Sequence, residues 1–463
     1  MKKLDMRLIF LFICLLITKL SLATGEATSI RLHFIDGPTE KIILAYSLGD
    51  KQYEKLAVET DKKGNALINT AEKLEKGLYI LAFPEREMSY FNIIISDDQD
   101  FDVHFSAKGL TDPGQIKFGG SIDNSIFYEY IVFKTNLQKK SESLIKENNP
   151  NYAAQNKAIN DEFDAYMFKL RQEYPNSFLV KMNSFMQRPT IQESLSDNKS
   201  RFYYYRDHFF DYADWSFDAI VRTSLLNDFY KEYIYSLTAQ DPDSIIKNLD
   251  VILGFASKNN EIFKVLLIQC LNEFAKSKII CMDAVYVHIV KKYYATGKAT
   301  WMNDNEESKQ NLKKITENAS HLENSLCGKH AFNFGFVDNN ENNSQLSAVK
   351  GKYTILVFWD IETGNSSAEF EFLASKMDSL KKLNVAVVEC CISADQTKKL
   401  NTMMKFSFPD LITTSGLDKN TIEIIKEKYH VVTKPTLFLL DENKRIVLKN
   451  ISAEQAFNFI KND

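Results

Sequence analysis

The chain has 463 residues and a net charge of −4 at neutral pH, so no global basic field exists to hold nucleic acid or an anionic membrane surface. Hydrophobic residues make up 44% and charged residues 25%, which excludes wholesale disorder and suits several folded domains rather than one core. Six cysteines are too few for a disulfide-built scaffold.

The N-terminus opens with Lys2, Lys3 and Arg7, followed by the apolar run Leu8 to Ile17. That run is about half the length of roughly 20 residues that a bilayer span needs. Ser21 and Ala23 then supply small residues where a signal peptidase reads. Residues 1–23 are expected to be a secretory signal peptide, leaving an exported chain with no membrane span.

Residues 24–120 read as a small antiparallel β-sandwich. Alternation appears in Ser29 to Phe34, Ile42 to Tyr46 and Phe101 to Phe105. Turns are expected at Asp61-Lys62-Lys63-Gly64-Asn65 and at Lys76-Gly77. Residues 121–325 read as an α-helical domain. Apolar positions recur at helical spacing through Asp161 to Leu170, and Pro175, Pro189 and Pro242 separate helices. Asp241-Pro242 is a helix start, with proline tolerated in the first turn.

Residues 326–463 alternate strand and helix. Tyr353 to Trp359 is almost continuously apolar, as expected of a strand covered on both faces. A helix over Ala368 to Leu383 carries Phe370, Leu373, Met377 and Leu380 on one stripe. Strands are expected at Val385 to Ile392, Thr436 to Leu440 and Arg445 to Leu448. Helices are expected at Asp395 to Lys405, Thr421 to Tyr429 and Ala453 to Ile460. The fold class is therefore multidomain: a β-sandwich, a helical middle domain and an α/β C-terminal domain.

Gly351-Lys352-Tyr353 precedes the first C-terminal strand, Phe358-Trp359-Asp360 ends it, and Lys434-Pro435-Thr436 opens a late strand after Tyr429 to Thr433. On these residues the last third resembles the TlpA-like branch of the thioredoxin superfamily. The whole chain resembles exported bacterial proteins that join a β domain, a helical domain of unknown function and a TlpA-like domain. Phe127 to Phe133 after Gly119-Gly120-Ser121, Phe202 to Tyr212, and Tyr293-Tyr294 to Trp301 resemble the middle region of that family.

The resemblance implies a Cys-x-x-Cys motif just after the strand that ends in Trp359. Thr363, Gly364, Asn365 and Ser366 stand at those positions. Disulfide exchange needs an attacking thiolate and a second, resolving thiol. A hydroxyl at a helix N-terminus supplies neither, but it caps the helix by accepting from a free N–H, worth about 1 kcal/mol. Ser366 as an acyl-transfer nucleophile would need a paired His and acid, and no such motif is evident. The resemblance further implies that Pro435 is cis, and that Trp359, Lys434 and Pro435 border a groove for extended peptide, bound by strand addition.

Cys390 and Cys391 are adjacent on an interior strand, so their sulfurs are expected on opposite faces as buried thiols. Cys270 and Cys281 would lie about 16 Å apart on one helix, beyond the roughly 7 Å limit for bridging. They are free core cysteines unless a helical hairpin joins them. Cys327, in the loop before the C-terminal domain, is expected to be exposed and unpaired. The seven histidines show no metal-ligand spacing, and no phosphate loop is present. No metal and no cofactor are therefore expected. The aromatic run Phe202 to Tyr212 either lines a ligand cleft or packs the helical domain against its neighbours.

The sequence reading is thus an exported thioredoxin-fold protein without the redox cysteine pair, a non-catalytic binding or scaffolding component of the cell envelope. Its partner would be an envelope protein or an extended peptide. The alternative is a thiol-disulfide oxidoreductase that uses a non-standard cysteine, Cys327 or Cys391.

Overall fold

The computed structural model describes residues 28–463 except 36, 38, 88, 108–109, 111, 147–150, 362–365 and 394–409. The expected signal peptide at 1–23 and the expected helix Asp395 to Lys405 lie outside the described residues. Two compact units form. One runs up to Gln187 and includes Ala219–Leu225; the other takes Arg188–Asp218 and Leu226–Asp463.

In the first unit eight strands are laid down: β1 (Thr28–Ile35), β2 (Lys41–Leu48), β3 (Lys51–Glu59), β4 (Asn65–Thr70), β5 (Gly77–Phe83), β6 (Ser89–Ile95), β7 (Asp100–Ser106) and β8 (Lys117–Gly119). They build two four-stranded sheets, ordered β4-β1-β7-β8 and β3-β2-β5-β6. The period-2 pattern of β1 sends Ile30, Leu32 and Phe34 into the core and leaves Arg31 and His33 on the other face. Phe34 and Phe105 of one sheet meet Phe83 and Phe91 of the other at 5.1 to 6.0 Å between ring centroids, closing a sandwich.

The sandwich is not antiparallel throughout. β1 and β7 pair in parallel, with His33 opposite His104. The Asp61 to Asn65 turn forms as expected: Gly64 has φ +79°, and a Cβ there would lie 2.1 Å from the Phe34 carbonyl oxygen. Helices Ile122–Lys146, Tyr152–Glu173 and Phe178–Met186 complete this unit. Buried Asn124 of the first one accepts from the backbone N–H of Ile94 at 2.7 Å and donates to its carbonyl at 2.8 Å, satisfying the free edge of β6.

The second unit carries the helices Asn198–Asp207, Pro242–Ala256, Asn260–Ala275, Asp283–Ile289 and Glu306–Glu323. Asp241 caps the second of these, accepting from the Ser244 N–H at 2.9 Å with Pro242 in the first turn. A short hairpin of β9 (Gly335–Val337) and β10 (Asn343–Gln345) follows. The five-stranded sheet then contains β11 (Tyr353–Trp359), β12 (Val385–Cys391), β13 (Leu411–Thr413), β14 (Thr436–Asp441) and β15 (Ile446–Ile451), in the order β13-β12-β11-β14-β15. β11 runs parallel to β12 and antiparallel to β14.

All seven residues of β11 are buried, the consequence of a core on each face of the sheet. One core gathers Phe358, Cys390, Phe438 and Tyr429; the other gathers Trp359, Cys391, Leu437 and Phe370. The two adjacent cysteines thus do point to opposite faces. Helices Ser366–Lys382, Lys419–Lys428 and Ala453–Asn462 pack around this sheet, and the last begins with a capping box between Ser452 and Gln455. β13 was not expected, because three residues carry too little alternation to register as a strand.

Candidate functional site at the end of the central strands

β11 ends at Trp359, and its register sets Phe358 opposite Thr436 at the start of β14. Trp359-Asp360 and Lys434-Pro435 therefore arrive at the same end of the sheet. The Lys434–Pro435 peptide bond is cis, as the resemblance implied. The helix that follows β11 begins at Ser366. Thr363, Gly364 and Asn365, and the side chain of Ser366, lie outside the described residues.

Two side-chain contacts are made by residues at this end. The Lys434 ammonium donates to the Asp360 carboxylate, and both side chains are mostly buried. The Trp359 indole N–H donates to the carboxylate of Glu389, a residue only 1% exposed on β12. Trp359 itself is 2% exposed and meets Phe370 edge-on at 5.7 Å. The surface beside Pro435 is consequently offered by Lys434 and its ion pair rather than by the indole. Glu389 was missed from the sequence, although a lone acid inside the apolar run Val385 to Ile392 was the available signal.

The cysteines are arranged differently from expectation. Cys281 and Cys327 form a disulfide, with Cα atoms 5.7 Å apart. This corrects both the choice offered for Cys281 and the unpaired state expected of Cys327. Cys281 sits outside any helix, at φ +68° just before Asp283–Ile289, so a spacing measured along one helix did not apply to it. Its former candidate partner Cys270 is buried inside Asn260–Ala275, and burial pushes its thiol up to about 12. Cys390 and Cys391 are also buried thiols.

The aromatic run splits between two roles. Phe209 and Phe210 are buried against Phe229, Tyr233, Trp215 and Phe255. Phe202, Tyr203 and Tyr212 stay exposed. Among the described residues, the ligand-type side chains that cluster are His33, Asp102 and His104 of the β-sandwich; no such cluster is found beside Pro435.

A central strand flanked by one parallel and one antiparallel neighbour, with a cis-proline opening the antiparallel one, is the thioredoxin arrangement. Residues 327–449 match the AhpC/TSA family, and residues 139–321 match the domain of unknown function DUF5106. The chain thus joins a DUF5106 segment to a thioredoxin-like domain of AhpC/TSA type.

Among solved structures, a thioredoxin-like protein from Bacteroides caccae is 14% identical with a TM-score of 0.45, covering 60% of this chain and 98% of its own. The thioredoxin domain of a thiol-disulfide oxidoreductase from Bacteroides vulgatus is 20% identical with a TM-score of 0.27, covering 30% of this chain and 96% of its own. A thiol:disulfide interchange protein from a Bacteroides species is 18% identical with a TM-score of 0.27, covering 30% and 90%. No curated protein matches.

Proposed function

We propose that this chain is an exported, non-catalytic thioredoxin-fold protein that binds an envelope protein or an extended peptide. One observation carries the reading: among the described residues no accessible thiol accompanies the cis-proline. The sequence offers Thr363 and Ser366 where the chemistry calls for sulfur. Of the described cysteines, three are buried thiols and two are joined to each other. The backbone beside Pro435 is where an extended peptide would add as a strand, with the Lys434–Asp360 pair setting the local charge.

Export is supported by the character of residues 1–23 and by the disulfide, since such bonds persist in oxidising compartments. Among the described residues no helix is long and apolar enough to cross a membrane.

The alternative, exchange through a non-standard cysteine, has one observation in its favour: Cys281 and Cys327 are each only partly buried. Insulin reduction by the purified chain separates the two. The proposal expects no turnover above the reductant alone, and turnover gained in T363C/S366C. Wild-type turnover that disappears in C281S/C327S would establish the alternative instead.

A further inference from the structure

The parallel pairing of β1 with β7 places a group of ligand-type side chains on the outer face of the sandwich. His33 lies directly opposite His104, and Asp102 is two residues before His104 on the same face. The two imidazoles stack with centroids 4.4 Å apart and planes 13° apart. Ligand atoms of His33, Asp102 and His104 all lie within 4.8 Å of one another.

The surroundings of His33 hold its ring in place. Its Nδ1 is 3.0 Å from Asn65 Oδ1. That amide is oriented by its own nitrogen, which faces the Asp61 carboxylate. Nδ1 therefore carries a proton and donates to Asn65. The remaining nitrogen, Nε2, is 3.0 Å from Asp102 Oδ1. A metal ion held between Nε2 and that oxygen would take the place of the proton that otherwise bridges them.

We propose that His33, Asp102 and His104 form a binding site for one divalent transition-metal ion of the zinc, copper or nickel type. Two imidazoles and one carboxylate select such ions over magnesium and calcium, which prefer oxygen alone. Zinc bonds of about 2.0–2.2 Å set ligand atoms roughly 3.3 Å apart, and rotation of the exposed His104 ring supplies the closure. His33 Nε2, Asp102 and His104 fill three positions, and water fills the rest. The Asn65 contact is the outer partner that fixes the His33 ring.

Nearby charge sets the strength of the site. Arg31 binds Asp102 through two nitrogens at 2.8 and 3.0 Å and also pairs with Asp100 at 2.6 Å. Lys117 lies opposite His104 on β8. These four charges cancel, so affinity comes from the ligands themselves, and binding in the micromolar range is expected rather than the tight binding of a buried structural zinc.

The test is equilibrium dialysis of untagged full-length chain against zinc chloride in excess magnesium, with bound metal counted by mass spectrometry. One zinc per chain is expected. H104Q, at an exposed side chain that leaves the fold intact, should weaken binding at least about tenfold, the lower bound seen for losing even an outer partner. H208Q should leave it unchanged. A second readout does not depend on any variant: substoichiometric copper should broaden the ring signals of His33 and His104 before those of the other five histidines. No bound zinc at 100 micromolar free metal (about tenfold above the weakest expected affinity), zinc binding that H104Q leaves intact, or broadening that spares both rings, would each overturn the proposal.

Discussion

Cys281 and Cys327 are bonded across 46 residues of sequence, so the turn before Asp283–Ile289 is tied to the segment that leads into the thioredoxin-like sheet. Closing a loop of that length in the unfolded chain removes entropy worth about 2–4 kcal/mol. The variant C281S/C327S should therefore unfold at a lower urea midpoint than the oxidised wild type, by an amount corresponding to about 2–4 kcal/mol. Added reductant should lower the wild-type midpoint and leave the variant unmoved. Equal midpoints for the oxidised and reduced wild type would show that the bond contributes nothing.

Trp359 and Glu389 make a second testable pair. Glu389 sits at 1% exposure on an interior strand, and the indole N–H donates to its carboxylate there. W359F keeps most of the ring volume and removes that donor. A buried acceptor left short of a partner costs about 1–3 kcal/mol, so W359F should lower stability by that amount. W359F/E389L, which removes the acceptor as well, should recover part of the loss. Urea unfolding of the four proteins of the cycle measures the coupling.

What the sequence made legible was local. The continuous apolar run of β11, the Asp241-Pro242 helix start, the Asp61 to Asn65 turn and the opposite facing of Cys390 and Cys391 all follow from periodicities and turn chemistry that act over a few residues. Pro435 was legible through resemblance. The rest depends on pairing between distant segments. His33 and His104 each look solitary in the sequence, because only the parallel register of β1 and β7 makes them neighbours. Cys281 was misjudged for the same reason: its partner is set by how a turn meets a remote loop, which no spacing encodes. Glu389 fell between the two, a local anomaly whose meaning needed Trp359 from the next strand.

Lys434 and Asp360 form an ion pair at 21% and 12% side-chain exposure, well shielded from solvent. Pairs this sheltered respond less to salt than surface pairs do. K434A should cost about 1.5–3 kcal/mol, the range for hydrogen bonds to charged groups. The coupling between K434A and D360N in a double-mutant cycle should persist in 0.5 M salt, where the Debye length is only about 3–5 Å. A coupling that vanishes with salt would place the pair in free solvent. The same K434A variant tests the groove: weaker binding of an extended peptide by K434A than by wild type is expected, and equal binding would move the peptide site away from Pro435.

His430 supplies a pH dependence of defined sign. Burial lowers its affinity for a proton below the ordinary value of 6.5, and the neighbouring Lys449 and His321 lower it further, against a smaller opposing effect of Asp283. Lys449 is itself 4% exposed, bonded to Asp283 at 2.5 Å and to the Ser325 carbonyl at 2.9 Å, so its charge is fixed in place. The folded chain therefore binds the His430 proton less readily than the unfolded chain does. Its stabilising contribution is complete above pH 6.5 and is lost as the pH falls below that value and through the lower folded one. His430 has φ +48°, a conformation that asparagine tolerates, so H430N removes the titration without straining the backbone. Urea midpoints measured between pH 7.5 and 5 should fall more steeply for wild type than for H430N. Parallel slopes would mean that the fold does not discriminate against the charged imidazole at this position.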